Sequence, residues 1–197
     1  MKWDKKTTGI PDEYFIRGDI PMTKSEIRTI SLSKLQIEHN SRVLDIGCGT
    51  GSVSVECGLL CKEGFVIAID QEVEAIQLTQ KNLAAFGVTN AKVILGKAPD
   101  SLPEQMFDRI FLGGGSKAVE PVVAYASKHL VESGIFVANT ILLDSTYQLL
   151  KALEKWGFED IGCVQVNIAR GQQKPGWMMM AQNPIYILSA KKSTKKT

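Results

Sequence analysis

The sequence predicts an α/β fold, a mainly parallel seven-stranded sheet with helices on both faces and one antiparallel strand near the C-terminus. Three observations carry this. Apolar β-rich runs alternate with helical patterns along most of the chain, and the first run, "RVLDI", opens straight into a glycine-rich turn. The last two runs, "IGCVQVNIA" and "NPIYILSA", are joined by a connector with no helical pattern. Alternation implies parallel strands linked by crossover helices, whereas a strand pair without a helix between must be a hairpin.

The elements follow in order. The segment "GIPDEYFIRGDIPMTKSEIRTISLSKL" precedes the first strand, and Thr23 with Glu26 three residues later has the form of a capping box. A helix is therefore expected from Thr23, within an N-terminal helical lid spanning about residues 1–40. After "RVLDI", "SVSVECGLLC" is helical and "FVIAID" is a buried strand. Glu72 to Phe86 places Val73, Ile76, Leu83 and Phe86 on one helical face and stops at Gly87. "AKVIL", "FDRIFL" and "GIFVANT" are further strands, with a helix opened by Pro121 between the last two. Another helix runs from about Asp144 to Trp156 and ends at Gly157.

A chain of 197 residues suits one domain, expected over residues 1–191, with a disordered lysine tail over 192–197. The last seven residues carry four of the 23 basic side chains, so the net charge of +2 becomes −2 without them. That is no basic footprint for nucleic acid. Cys48, Cys57, Cys61 and Cys163 lack zinc-type spacing, and metal is not expected. The N-terminus has no apolar core and no run is long enough for a membrane, so a cytoplasmic location is expected.

The turn "VLDIGCGTGS" is the candidate ligand loop. It has no Lys-Ser/Thr pair after its last glycine, which excludes a P-loop. Its spacing is Gly47-x-Gly49-x-Gly51, with Ser52 where a dinucleotide loop would place its third glycine. Glycines allow the main chain to approach a ligand closely. Asp45 nearby suits the ammonium of S-adenosylmethionine and would repel a pyrophosphate. Asp70, which ends the next strand 23 residues beyond Gly47, can accept both ribose hydroxyls. The fold expected is thus the Rossmann-like class I methyltransferase fold. Adenine is expected against main-chain groups from Gly96 to Ala98, because Lys97 stands where an acceptor is common and cannot accept when charged. The helix start at Thr23 is a candidate anion site, aided by Lys24, or else simply a cap. "NPIY" resembles a loop that holds planar amides and amines, but it begins the last strand rather than following the fourth.

Three stretches, "GIPDEYFIRGDIPMTKSEIR", "LDIGCGTGSVSVE" and "DRIFLGGGS", together resemble the decarboxylating cobalt-precorrin-6B C-15 methyltransferases of cobalamin biosynthesis. The resemblance runs over nearly the whole chain. It implies donor contacts from Thr23, from Gly47, Cys48, Gly49, Thr50 and Gly51, and from Asp70 and Ala98; Asp45, Gln71 and Gly96 complete the expected set. It implies S-adenosylmethionine as cofactor and a homotetrameric assembly. The implied substrate is a tetrapyrrole (precorrin) macrocycle, methylated at C-15 and decarboxylated at the ring C acetate.

A polyanionic macrocycle calls for cations, and Arg17, Lys24, Arg28, Lys117, Arg170 and Lys174 are the candidates. Trp177, with three methionines in "ARGQQKPGWMMMAQ", covers either the macrocycle or another subunit. Gly114, Gly115 and Ser116 are candidates to bring backbone amides to the reacting centre. The in-line displacement at a sulfonium depends on alignment and exclusion of water, so no general base is assigned, and His39 and His129 are read as structural or solvated. The rival readings are a tRNA adenine-N1 type RNA methyltransferase, a non-catalytic donor-binding protein and, third, a NAD oxidoreductase.

Overall fold

The computed structural model describes residues 3–5, 7–113 and 118–194. Gly114, Gly115, Ser116 and Lys117 lie outside the described residues. A single helical turn, Asp12–Tyr14, precedes α1 (Ser25–Leu35), and the first crossover unit is β1 (Arg42–Ile46), α2 (Ser52–Leu60) and β2 (Phe65–Asp70). There follow α3 (Val73–Ala85), β3 (Ala91–Leu95), β4 (Phe107–Leu112), α4 (Val119–His129), β5 (Leu130–Thr140) and α5 (Leu143–Lys155). The chain closes with β6 (Phe158–Val166), β7 (Ala169–Lys174), β8 (Gly176–Ala181) and β9 (Ile185–Lys192).

Seven strands form one sheet in the order β3-β2-β1-β4-β5-β9-β6, with β9 antiparallel to both neighbours. This is the predicted sheet. Successive residues of a strand face opposite sides, and β1 shows the consequence. Leu44 and Ile46 pack with Val122 and Val123 of α4 and with Leu149 and Leu153 of α5. Val43 packs instead with Ile27 and Leu32 of α1 and with Val53 and Cys57 of α2. Cys57 and Cys61 are buried free thiols used as apolar packing.

Four expectations need correction. The connector between β6 and β9 is not a long loop; β7 and β8 pair with each other as a separate two-stranded hairpin. Helix α1 begins at Ser25, with Lys24 as its N-cap and no side-chain cap from Thr23. Asp12, thirteen residues upstream, accepts the Ser25 N–H at 2.9 Å instead. Lys192, expected in the tail, belongs instead to β9. On α3, Val73 is 56% exposed and does not join the buried face.

Candidate functional site

The carboxyl ends of β1, β2 and β4 converge on the glycine turn, where ligands bind in open α/β sheets. Gly47, Gly49 and Gly51 all have positive φ, at 74°, 57° and 76°. A side chain at any of the three would be strained. Gly51 also has no room, since an added Cβ would lie 2.8 Å from Thr79 of α3. The turn is tied to the end of β2 by the Gly47 and Cys48 amides, which donate to the Ile69 carbonyl at 2.8 and 3.1 Å. From the other side Gly113 closes against it, with an ideal Cβ 2.4 Å from the Gly47 carbonyl oxygen.

Two carboxylates flank the turn. Asp70 accepts the Gly49 N–H through Oδ2 at 2.9 Å and the Glu72 N–H through Oδ1 at 3.0 Å. Each oxygen keeps a further lone pair for a ligand hydroxyl. Asp45 is fully buried, and its Oδ2 accepts a short hydrogen bond from Ser54. Burial pushes its carboxyl up to about 7, with the nearby Asp70 charge adding to the rise and the Ser54 bond opposing it. Among the described residues Asp45 Oδ1 and Thr50 Oγ1 are buried without a hydrogen-bond partner. Orphaned polar atoms beside a glycine cradle fit a ligand with polar groups of its own. A cationic ligand would relieve the Asp45–Asp70 repulsion, whereas a pyrophosphate would deepen it.

The remaining donor candidates fall around this centre. Gln71 is exposed beside Asp70, its amide donating to Glu72 at 3.3 Å. Cys48 is buried, with its sulfur 3.3 Å from the Thr79 hydroxyl oxygen. Of the stretch expected against adenine, the Gly96 amide donates to the Asp70 carbonyl at 2.9 Å and the Lys97 amide to Ser101 Oγ at 3.2 Å. Both amides are therefore committed within the protein, and Ala98 packs partly buried against the core. Leu95, 54% exposed at the end of β3, adds an apolar surface that sequence reasoning did not single out.

The segment before α1 lies across the turn as a strap. An ideal Cβ on Gly49 would sit 3.1 Å from the Pro21 carbonyl oxygen and 3.5 Å from Ile20. This brings Thr23, two residues on, to the same corner. Two carboxylates, the buried Glu56 and the exposed Glu74, pin the strap down. Glu56 of α2 accepts from the Gly9 and Ile10 amides at 2.7 and 3.0 Å, and Glu74 of α3 accepts from the Asp19 amide at 3.1 Å.

Arg28 requires correction. Its side chain is 0% exposed and its nitrogens are all committed to groups of the chain, so it is not free to meet a substrate. Nε donates to Glu56 at 2.5 Å and one terminal nitrogen to the Thr23 carbonyl at 2.5 Å, while the other bonds the Ile10 carbonyl. The guanidinium also lies 3.6 Å from Asp12 and 4.7 Å from the Phe15 ring centroid. Arg28 stitches the strap to the body. Arg170 of β7 is likewise engaged, pairing with Asp12 at 2.9 Å and Glu26 at 2.5 Å, which raises its pKa. Arg17 lies 3.9 Å from the same Asp12. With Arg42 on Asp108 and Arg109 on Glu38, all five arginines are ion-paired within the chain. Sequence reasoning did not pair Arg28 and Arg170 with Asp12, Glu26 and Glu56, because partners far apart in sequence leave no local signal.

Lys24 has no ion-pair partner among the described residues, and Lys174 ends β7 in full exposure. Trp177 is 78% exposed on β8, beside Met178, Met179 and Met180 at 49%, 65% and 42%. His129 bonds Glu104 at 3.1 Å and stacks on Tyr125, and His39 is an exposed partner of Glu63. A polar cleft of about 610 Å³ lies at the opposite, amino end of β4 and β5, around Lys34, Asp108, Arg109 and Glu132. Its position separates it from the glycine turn.

Sheet order, glycine turn and flanking carboxylates define a class I methyltransferase. The chain belongs to the precorrin methyltransferase domain family, which matches residues 13–189. It is 45% identical, over 98% of its own length and 100% of the relative, to a probable cobalt-precorrin-6B C(15)-methyltransferase (decarboxylating) of Saccharolobus solfataricus. A solved precorrin-6y C5,15-methyltransferase from Geobacter metallireducens superposes with a TM-score of 0.90 at 29% identity, covering 96% of this chain and 100% of that one. A precorrin 8W decarboxylase from Methanobacterium thermoautotrophicum gives 0.87 at 30%, covering 92% and 98%.

Proposed function

We propose that this chain is an S-adenosylmethionine-dependent C-methyltransferase that acts at C-15 of cobalt-precorrin-6B or its metal-free analogue, with decarboxylation of the ring C acetate. The observation that carries this reading is the pair of carboxylates, Asp45 and Asp70, on either side of the glycine turn in a chain that matches such enzymes end to end.

Asp70 would hold the ribose hydroxyls with its free lone pairs, and Asp45 would face the ammonium. Thr50 Oγ1 is a buried polar atom that the donor's amino-acid portion could satisfy. The bound donor supplies an electrophilic methyl on a sulfonium. The chain's own contribution is alignment and a dry site, since an in-line displacement gains most from both. The strap over Gly49 supplies cover from above. The Gly113 end of β4 sets the wall on which the acceptor carbon would rest. Among the described residues the unpaired cation Lys24 is best placed to meet macrocycle carboxylates, because the arginines already hold carboxylates of the chain.

The exposed Trp177 and methionines of β7–β8 support a homo-oligomer, with a tetramer as the proposed state, since an apolar row of this size on a projecting hairpin needs a cover. No helix is long and apolar enough to cross a membrane among the described residues, in keeping with the cytoplasmic location we propose. An RNA substrate is not favoured, because the net charge is only +2 and rests on the four lysines of the last seven residues. The test is incubation of purified protein, methyl-labelled donor and cobalt-precorrin-6B. The product should gain one methyl mass and lose one carbon dioxide; an unchanged macrocycle in the presence of bound donor would refute the substrate assignment.

A further inference from the structure

Two polar side chains on α3, Thr79 and Asn82, are both 0% exposed. Their spacing of three residues turns both toward the same neighbour. Buried polar groups are costly unless bonded, so their partners show what the helix is holding. Thr79 donates to the Gly49 carbonyl at 3.0 Å. Asn82 does more. Its Nδ2 donates to the Thr50 carbonyl at 2.8 Å and to the Ile16 carbonyl at 3.0 Å, and its Oδ1 accepts the Ile16 N–H at 2.7 Å.

Ile16 is thereby bonded through both of its backbone groups, as it would be by a neighbouring strand. The same carboxamide grips the carbonyl of Thr50, inside the glycine turn. Strap and turn are separate in sequence, and this one planar group spans the gap between them. We infer that Asn82 is a positioning residue for the methyl donor: it fixes the strap over the glycine turn at the separation the donor needs. The inference rests on the reading of that turn as the donor site. It assigns to two uncharged side chains of α3 control of the cover above it.

Neither obvious replacement can do this. Aspartate has no N–H for the two carbonyls, and alanine leaves three backbone groups without their partner. The Asn82→Ala variant should bind adenosylhomocysteine roughly 10- to 100-fold more weakly in calorimetry run well below its melting temperature, the loss expected when two or so hydrogen bonds are removed from a buried site. Amides of the strap, 16–23, should exchange hydrogen faster, while those of β1 stay protected. A second variant isolates the strap limb. Ile16→Pro removes the N–H that Asn82 accepts while leaving Asn82 itself in place, and Phe15, at ψ 139°, is already extended as a residue before proline must be.

If Asn82 acts through the strap, the double variant should bind the donor no more weakly than Asn82→Ala alone, since both changes cut one linkage. Additive losses would overturn the positioning role, as would unchanged affinity in Asn82→Ala. Should Asn82→Ala fail to fold, Ile16→Pro alone decides, with unchanged donor affinity and unchanged strap exchange counting against the role. Wild-type protein that binds no adenosylhomocysteine would instead overturn the donor reading, so the two failures are separable.

Discussion

The corner around the glycine turn and the β7–β8 hairpin break the usual surface rule in opposite directions. The corner buries polar groups: Arg28, Asp45, Thr79 and Asn82 are each 0% exposed and Glu56 only 2%. The hairpin exposes apolar ones, with Trp177 at 78% and Met179 at 65%. Buried polar side chains and exposed apolar patches are the informative departures in a folded protein. A corner that commits so many polar groups inward is organised around fixed geometry, as a small polar ligand requires. A hairpin that turns tryptophan and methionine outward, and buries little against its own domain, is organised around something larger. Arg170 of the hairpin links the two, pairing with Asp12 of the turn Asp12–Tyr14 and with Glu26 in the first turn of α1.

The comparison breaks most decisively at Arg28. Replacing it with methionine would leave Glu56 buried without its cation, at a cost of about 3–5 kcal/mol. Chemical denaturation should read that loss directly. An Arg28→Met protein of unchanged stability with only a raised KM for the macrocycle would return Arg28 to the substrate site. Next in size, Asp70→Ala should weaken adenosylhomocysteine about 10- to 100-fold while the fold survives, because it removes both a ligand contact and the brace on Gly49. Calorimetry and circular dichroism together check this.

Asp45 sharpens the contrast through pH. Its folded pKa, about 7, lies above its ordinary value because burial disfavours the charged form. The native chain therefore keeps a proton that the unfolded chain releases. Stability from this group is present at low pH, is lost as pH rises from about 4 to 7, and is flat above. Donor affinity should run the other way, since a cationic ligand selects the ionised carboxylate. Binding should strengthen about tenfold per pH unit below 7 and level off above it, with proton release, and Asp45→Asn should flatten the profile. The smallest effect on the monomer belongs to the hairpin. Trp177→Lys should lower the mass seen in sedimentation while changing domain stability by no more than about 0.5 kcal/mol.

Much of the fold was legible because its signals are local. "RVLDI", "FVIAID" and "FDRIFL" became β1, β2 and β4 at the predicted residues, and the absent crossover helix correctly made β9 antiparallel. The glycine turn was legible for the same reason, as positive φ at Gly47, Gly49 and Gly51 leaves a direct mark in residue type. Long-range polar pairing leaves no such mark. Thr23 and Glu26 had the spacing of a capping box, but Asp12 reached the Ser25 amide first and Glu26 was taken by Arg170. Arg28 was read as a cation for the substrate because nothing nearby in sequence announces Glu56, 28 residues away. Asn82 was hidden similarly: its partners lie at Ile16 and Thr50, and a polar residue on a helix tells nothing of which face will be buried. The hairpin strands "ARGQQK" and "GWMMMA" were missed because neither alternates apolar with polar, their pairing being exposed on both sides.

The most direct measurement is titration of the wild-type chain with adenosylhomocysteine and, separately, with NADH at pH 8. One molecule of adenosylhomocysteine should bind per chain, competitively with S-adenosylmethionine, and NADH should neither bind nor displace it. A turn that takes up NADH, or that leaves adenosylhomocysteine free in solution, would contradict the claim that Asp45 and Asp70 frame a cationic methyl donor.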